Sequence, residues 1–191
     1  MDKMQTIQSW DLKILLKLNH AFSNAGFLNK FFAEYLTYSL PLVLLLTWFL
    51  GDIKTKKSAI RAFFAVILAW PILATTIGHL VNRTRPFESG GVQELIFHRP
   101  TVSFPSDHAA ALFAVAMSFY FSGAKKISYI MFVVAILISF FRVSTAIHWP
   151  TDILGGLVIG LLSAWVIKLL DRYLDKVYNW IIKVMKKVKL A

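Results

Sequence analysis

Three short segments carry the side chains best suited to chemistry: R-T-R-P-F at 83–87, F-P-S-D-H at 104–108 and R-V-S-T-A-I-H-W-P-T-D at 142–152. Each segment lies at the end of an apolar stretch, so the three are expected to meet at one site. Arginine guanidinium groups donate paired hydrogen bonds to phosphate oxygens and keep their charge at physiological pH. A histidine followed by an aspartate supplies a nucleophile with an orienting acceptor. The combination predicts a phosphate-binding site that contains a nucleophile.

The two histidines of these segments are predicted to have different roles. Phosphoryl transfer through a covalent intermediate needs one neutral imidazole as nucleophile and one protonated imidazole as acid for the leaving oxygen. His148 is the predicted nucleophile, because Asp152, four residues later, can accept its N–H and fix its tautomer. His108 is then the general acid. Arg85 and Arg142 are expected to neutralise the phosphate oxygens and to stabilise the transition state.

Ser106 lies where a helix is expected to begin, after Pro105 and close to His108. A serine N-cap leaves free backbone N–H groups in the first turn, and these donors, together with the helix dipole, attract an anion. Ser106 is therefore expected to bind phosphate with its hydroxyl and with this turn. Asp107 is counted in the same group, although a simple acidic first-turn residue that suits the dipole is the preferred interpretation.

The spacing of these residues resembles the signature of the type 2 phosphatidic acid phosphatase superfamily, which reads K-x6-R-P, then P-S-G-H, then S-R-x5-H-x3-D. The matching positions are Arg85, Pro86, Pro105, Ser106, His108, Arg142, His148 and Asp152. Three positions depart from the signature, namely Gly78 for the lysine, Asp107 for the glycine and Phe141 for the serine. Without the lysine and with P-S-D-H, the chain is most similar to the bacitracin-resistance type of undecaprenyl-pyrophosphate phosphatase.

This resemblance implies the same roles for the two histidines, in a reaction through a phosphohistidine that water then hydrolyses with His108 as the base. Arg83 or His79 is a candidate to replace the charge of the absent lysine, which adds Arg83 to the expected phosphate-binding group. The alternative for Arg83 is a contact with lipid headgroups at a helix end. Vanadate-binding haloperoxidases resemble the same motif set, but they are soluble proteins.

The resemblance favours undecaprenyl pyrophosphate as substrate, with loss of its terminal phosphate in support of cell-wall carrier-lipid recycling and bacitracin resistance. Phosphatidylglycerophosphate, phosphatidic acid and the lipid A phosphate are alternatives, since they would share the catalytic residues. A non-enzymatic lipid-phosphate transporter or scaffold would not need both His148 and Asp152 at this spacing. The expected partners are a polyprenyl or phospholipid phosphate and membrane lipids, with no nucleic acid and no cofactor.

The composition is that of a membrane protein, because 57% of the 191 residues are hydrophobic and only 16% are charged. Five uncharged runs predict an all-α, polytopic bundle of about five spanning helices: 35–51, 62–82, 109–124, 127–141 and 153–167. Several runs are shorter than the roughly 20 residues of a spanning helix, so the helices are expected to extend into the motifs unless flanking basic side chains reach the interface. The chain has no cysteine, and its acidic residues show no ligand spacing with the histidines, so no metal site is predicted.

Residues 1–191 are predicted to form a single membrane phosphatase domain in three parts. Residues 1–32 form an interfacial amphipathic helix, residues 33–170 the transmembrane catalytic core, and residues 171–191 a basic amphipathic cytoplasmic tail. The apolar stripe of the first part, interrupted by Asp11, Lys13 and Lys17, consists of Ile7, Trp10, Ile14, Leu15, Leu18 and Phe22. The loop from Phe87 to Ser106 is long enough to cover the site, with Arg99 as a candidate contact for a second phosphate, although a solvated connector is the preferred interpretation.

The basic residues indicate the orientation in the membrane. Of the 21 lysines and arginines, 13 lie within 54–61, 125–126 and 168–189, which a bundle of five spans places on one side. By the positive-inside rule that side is the cytoplasm. The motifs are therefore expected to face the outer, periplasmic or extracellular side of a bacterial plasma membrane.

Overall fold

The computed structural model describes residues 3–188, and all regular secondary structure in this range is helical. The helices are α1 (Lys3–Ala21), α2 (Gly26–Ala33), α3 (Ser39–Leu50), α4 (Ile53–Ile67), α5 (Thr75–Val81), α6 (Asp107–Phe121), α7 (Lys125–Ser144) and α8 (Pro150–Lys187). A π-helical segment, Leu68–Ala74, joins α4 to α5, and 3-10 turns lie at Tyr35–Tyr38 and Pro86–Glu88. The predicted all-α class is confirmed. Residues 1–2 and 189–191 and the side chain of Ile7, which belong to the predicted end segments, lie outside the described residues.

α6 lies at the centre of the bundle and contacts α4, α7 and α8. It is rich in alanine, whose small side chain lets neighbouring helices approach closely, and every residue from Ala109 to Ala116 is buried. Glycines on α8 continue this close packing. A Cβ at Gly156 would lie 2.4 Å from the carbonyl oxygen of Ser106, and one at Gly160 would lie 2.5 Å from that of Ala110. The start of α6 is therefore held directly against the start of α8.

Four helical segments are long and apolar enough to cross a membrane: Gly26–Leu50, Ile53–Glu88, Lys125–Ser144 and Pro150–Lys187. The remaining predicted span, 109–124, corresponds to α6, a shorter apolar helix of 15 residues that packs among the others. The helices extend into the motifs as expected. Arg142 lies in the last turn of α7, and Asp152 lies in the first turn of α8.

Helices run across both predicted boundaries of the outer segments. The first candidate span begins at Gly26 and not at residue 33, because α2 and the following 3-10 turn lead directly into α3. α8 runs unbroken through the expected boundary at 170–171. Beyond that point Tyr178 and Ile182 are buried against Ile60 of α4, so the predicted basic tail packs on the bundle along this face.

α1 buries polar residues that an interfacial helix would leave at the surface. Leu15 of the predicted apolar stripe is buried, whereas Trp10 is 63% exposed. Asp11 and Asn19 lie four residues before and after Leu15, on the same face of the helix, and both are buried. The physical reason is that donor groups of Arg83 and Thr151, at the end of the bundle that carries the motif segments, meet Asp11 on this face.

The opposite end of the bundle holds basic residues in ion pairs. Arg61 donates to Asp171 through Nε and Nη2 at 2.7 and 2.6 Å. Its Nη1 donates to the hydroxyl of Ser122 at 2.6 Å, and Lys57 pairs with Asp175 at 2.6 Å. These contacts join α4, the turn after α6 and the second half of α8. The three motif segments meet at the other end.

Candidate active site

A hydrogen-bonded turn at the end of α7 sets the geometry between Arg142 and His148. The N–H of Ile147 donates to the carbonyl oxygen of Arg142 at 3.1 Å, and the N–H of Ala146 donates to that of Val143 at 3.0 Å. This is the Schellman pattern, and it requires a left-handed residue. Ala146 provides it with φ of 60°, which costs an alanine about 1–2 kcal/mol. The chain thereby reverses, and the N–H of His148 itself lies 3.2 Å from the carbonyl oxygen of Arg142.

His148 is buried, and its two ring nitrogens have different surroundings. Nδ1 lies 2.9 Å from the carbonyl oxygen of Ser103 and 3.5 Å from Oδ2 of Asp152. Both groups are acceptors, so the neutral ring carries its proton on Nδ1 and its lone pair on Nε2. Nε2 lies 3.5 Å from a guanidinium nitrogen of Arg85. Burial, together with the charges of Arg142 and Arg85, lowers the pKa of His148 to about 4 against the opposing effect of Asp152.

Asp152 lies behind His148 and is fully buried. Its Oδ1 accepts a hydrogen bond from Nη1 of Arg83 at 2.7 Å. Its Oδ2 accepts from the backbone N–H of Trp149 at 2.8 Å and from the hydroxyl of Ser103. These three donors fix the carboxylate. Asp152 is the expected partner of His148, but the Ser103 carbonyl is the nearer acceptor and the carboxylate contributes a negative charge at ion-pair distance.

Arg85 lines a cavity of about 130 Å³ that His148 and Asp107 also line. Its guanidinium is buried and donates to neutral acceptors. Nη1 binds the carbonyl oxygen of Ile147 at 2.9 Å, and Nη2 binds the hydroxyl of Thr101 at 2.9 Å. Because these partners are neutral, the positive charge is not cancelled by a directly bonded carboxylate. The cavity thus presents a lone pair on Nε2 of His148 and a guanidinium suited to a phosphate oxygen.

Arg142 lines a second cavity, of about 280 Å³, together with His98 and His108. Its Nη1 donates to the carbonyl oxygen of Ala33 at 3.1 Å, and its Nη2 lies 3.5 Å from Nε2 of His98. Its Nε is buried and has no hydrogen-bond partner among the described residues. A buried donor without a partner is rare in folded proteins.

His108 and Asp107 begin α6 next to both cavities. Nδ1 of His108 lies 2.7 Å from Oδ1 of Asp107, and the same oxygen accepts the backbone N–H of His108 at 2.7 Å. Asp107 is an acidic first-turn residue, as the preferred interpretation holds. It also orients the ring of His108. The carboxylate is an acceptor, and both of these contacts are made with donor groups of the histidine.

Ser106 is the N-cap of α6, as predicted. Its Oγ accepts the N–H of Ala109 at 3.4 Å, and its side chain is fully buried. The backbone N–H of Ser106 donates to the carbonyl oxygen of Asp152 at 3.0 Å. The serine therefore joins the starts of α6 and α8, and its hydroxyl oxygen is the acceptor that caps α6.

Arg83 does not line either cavity, although it is predicted to bind phosphate. Its guanidinium donates to Asp152 and to Asp11, at 2.7 Å each, and stacks over the ring of Trp149. These carboxylates hold the cation behind the site. His79, the other candidate for the charge of the missing lysine, lines the cavity of Arg85.

The loop between the 3-10 turn and α6 covers the site. Ile96, Phe97 and His98 line the larger cavity, and Thr101 and Val102 line the smaller one. Burial lowers the pKa of His98, and the neighbouring arginines add to this effect. Within residues 3–188, no cluster of three His, Asp or Glu side chains is arranged to hold a metal.

Three residues of this arrangement are not predicted as site residues from the sequence: Ser103, His98 and Asp11. Ser103 lies three positions before the P-S-D-H motif, and only its closeness to the motif could have drawn notice. Asp11 bonds to Thr151, 140 positions away, and no local pattern announces such a contact. His98 lacks a motif partner in the sequence, and its contact with Arg142 depends on the path of the loop.

The chain resembles known proteins both in sequence and in fold. The sequence model of the PAP2 superfamily matches residues 58–176. YbjG of Escherichia coli (strain K12) is 32% identical over 140 residues, which cover 72% of this chain and 70% of that protein. BcrC of Bacillus subtilis (strain 168), named as an undecaprenyl-diphosphatase, is 29% identical over 81% of this chain and 79% of its own. The crystal structure of LpxE from Aquifex aeolicus has the same fold, with a TM-score of 0.70 over 82% of this chain and 93% of that one at 24% identity.

Proposed function

The chain belongs to the PAP2 superfamily of phosphatases, and we propose that it removes the terminal phosphate of undecaprenyl pyrophosphate through a phosphohistidine. The observation that carries this proposal is the environment of His148. Its Nε2 carries the lone pair of the neutral ring and lies 3.5 Å from guanidinium Nη1 of Arg85, whose N–H it accepts, and both residues line one cavity. A neutral, oriented imidazole beside a fixed cation is suited to attack on phosphorus.

In the first step, Nε2 of His148 attacks the terminal phosphorus and the bond from phosphorus to the bridging oxygen breaks. Arg85 and Arg142 neutralise the charge that develops on the phosphoryl oxygens. His108 gives a proton to the bridging oxygen, which leaves as the phosphate of the shortened lipid. The negative charge of Asp152 stabilises the ring of His148 as it becomes positive.

In the second step, water attacks the phosphorus of the phosphohistidine and gives one proton to His108. The bond between nitrogen and phosphorus breaks, inorganic phosphate leaves and neutral His148 is restored. Asp107 supports both steps by holding Nδ1 of His108, so that Nε2 of that ring is the nitrogen that exchanges protons.

A third cavity, of about 210 Å³, lies beside Asp107 and His108. Its lining supports the proposal that the substrate is a lipid. Its other walls come from α3, the turn before it, the π-helical segment and α6, and they are mostly apolar: Thr37, Tyr38, Leu40, Pro41, Trp70, Ala111 and Leu112. An isoprenoid chain fits this chemistry. The name of the relative BcrC from Bacillus subtilis favours undecaprenyl pyrophosphate over other lipid phosphates.

The substrate is tested by phosphate release from a matched panel of lipid phosphates in one detergent. The panel contains undecaprenyl pyrophosphate, phosphatidylglycerophosphate, phosphatidic acid and a lipid A phosphate. We expect the highest kcat/KM for undecaprenyl pyrophosphate, and we expect expression in a sensitive bacterium to raise bacitracin resistance. A higher kcat/KM for any other member would assign that lipid as the substrate instead.

We also propose that the active site faces the outer side of the membrane, where pyrophosphate carriers are released by wall synthesis. Support comes from the basic residues at the opposite end of the bundle, by the positive-inside rule. The chain has no cysteine, so single cysteines report topology cleanly. Ser89→Cys should react with an impermeant thiol reagent in intact cells, and Lys54→Cys should react only after the membrane is opened. The reverse labelling would overturn this orientation.

A further inference from the structure

Asp11 of α1 is a buried carboxylate that contacts the catalytic end of the bundle. Its Oδ1 accepts the backbone N–H of Thr151 at 3.0 Å, and its Oδ2 accepts Nη2 of Arg83 at 2.7 Å. The hydroxyl of Thr151 also donates to Oδ2. Thr151 immediately precedes Asp152 in the first turn of α8. Asp11 therefore binds two residues next to Asp152: Thr151, which precedes it in the sequence, and Arg83, which is its ion-pair partner. Asp152 is the carboxylate behind the proposed nucleophile, His148.

Arg83 connects the two carboxylates directly. Its Nη1 donates to Oδ1 of Asp152 and its Nη2 donates to Oδ2 of Asp11, each at 2.7 Å. Stacking over the Trp149 ring, with 5.0 Å from the guanidinium carbon to the ring centre, limits the orientations of the cation. The group of two carboxylates and one guanidinium has a net charge of −1. Without Asp11, the positive charge of Arg83 would pair with Asp152 alone, and the net charge of that pair would be zero.

From this geometry we infer that Asp11 is a positioning residue for phosphoryl transfer. By sharing Arg83, Asp11 prevents the guanidinium from neutralising Asp152 and keeps a negative charge available to the ring of His148. It also fixes the first turn of α8. The inference rests on the proposed function of His148. Asp11 lies outside residues 58–176, the region that matches the superfamily, so the family motifs do not include it.

The competing explanation for the contacts of Asp11 is that they only dock α1 on the bundle. Asn19, on the same face of α1, is an example of such docking. Among the described residues, Asn19 hydrogen-bonds to backbone groups only, with Nδ2 donating to the carbonyl oxygens of Ser144 at 2.9 Å and Gln93 at 2.8 Å. Such contacts dock the helix and carry no charge to the site. Asp11 differs because its partner Arg83 is bonded to Asp152.

The test compares Asp11→Asn with the wild-type enzyme in detergent, using the lipid phosphate on which the wild type is most active. Asparagine has the size of aspartate and removes the charge. We expect kcat per folded enzyme to fall about 10- to 100-fold, the range for residues that orient a catalytic group, with KM changed less than about two-fold. Lys17→Gln, an exposed charge change on the same helix, serves as the matched control and should keep wild-type kcat.

A double-variant cycle separates positioning from docking. Since Asp11 acts through Arg83, the combination of Asp11→Asn with Arg83→Gln should be no slower than the slower single variant. Arg83→Lys provides a second test if Asp11→Asn does not fold, because one ammonium cannot reproduce two directed bonds to two carboxylates. It should lower kcat with little change in KM.

Three results would overturn the inference: unchanged kcat in Asp11→Asn or Arg83→Lys, a raised KM with unchanged kcat, or a lower melting temperature with unchanged kcat per folded enzyme. Fully multiplicative losses in the double variant would also count against it. The failure of the proposed function looks different. In that case the wild-type enzyme would release no phosphate from any lipid of the panel.

Discussion

The carbonyl oxygen of Ser103 lies 2.9 Å from Nδ1 of His148, nearer than the carboxylate of Asp152 at 3.5 Å. In a serine-protease triad the carboxylate alone fixes the histidine tautomer. Here a backbone carbonyl accepts the Nδ1 proton, and no side-chain substitution removes it. The tautomer and the charge at this site are therefore supplied by different groups.

The first prediction follows from this division. Asp152→Asn should lower kcat by about 10- to 100-fold, less than the roughly 10⁴-fold loss seen when a triad loses its tautomer-fixing carboxylate, because Ser103 still fixes the ring. Ser103→Ala keeps the carbonyl and removes only the hydroxyl bond to Asp152, so its loss should be smaller. Initial rates of phosphate release measure both. An unimpaired Asp152→Asn would show that the charge has no role.

The second prediction concerns the proposed general acid. Asp107→Asn removes the charge that lies 2.7 Å from Nδ1 of His108 and should lower kcat by about 10-fold or more. Glycine occupies this position in the superfamily signature, so Asp107→Gly asks whether the carboxylate is needed in this chain. Equal activity of wild type, Asp107→Asn and Asp107→Gly would restrict Asp107 to its place in the first turn of α6.

The third prediction is a pH dependence of stability. The pKa of His148 is about 4 in the folded protein, because burial opposes its charge, against roughly 6.5 in an unfolded chain. Between these values the unfolded state binds more protons, so the free energy of unfolding rises with pH from 4 to 6.5 and is lost on acidification. The contribution of this ring is about 3 kcal/mol.

Thermal unfolding of wild type and His148→Gln between pH 4 and 7 measures this difference. The variant should lose less stability on acidification than the wild type. His98, whose pKa is also lowered, is present in both proteins and cancels in the comparison. Parallel pH profiles for the two proteins would contradict a buried, neutral His148.

The fourth prediction concerns the packing of α6 against α8. Gly156→Ala places a Cβ 2.4 Å from the carbonyl oxygen of Ser106, so the start of α6 must move or the helices must separate. We expect a loss of about 1–3 kcal/mol in stability and lower activity. Gly26→Ala is the control, since a Cβ there meets no atom within 4 Å. Similar melting temperatures for both variants would mean that this contact does not constrain the site.

The sequence predicts those parts of the site that local spacing determines. Arg142, His148 and Asp152 lie within one helix–turn–helix, so their separation along the chain reflects their separation in space. Ser106 is predictable as a helix cap for the same reason. The all-α class follows from the apolar runs, and the short length of the helix α6, 15 residues, fits its place inside the bundle.

Residues that meet across long sequence separations could not be predicted in this way. Arg83 is a conspicuous cation beside a motif, but its partners are decided by the docking of α1, which brings Asp11 to it. From the sequence alone, Asp11 is assigned to the polar face of α1. Its contact with Thr151 is evident only once the position of α8 is known. The first span also begins earlier than its apolar run, because α2 and α3 are joined by a turn that hydrophobicity alone does not reveal.

The most direct test of the account is to find the atom that receives the phosphoryl group. Wild-type enzyme is mixed with undecaprenyl pyrophosphate radiolabelled in its terminal phosphate, quenched in alkali within one turnover, and digested for peptide mapping. The account predicts label on the peptide that contains His148, as acid-labile phosphohistidine, and no label in His148→Ala. Label on another residue, or full turnover by His148→Ala, would contradict it.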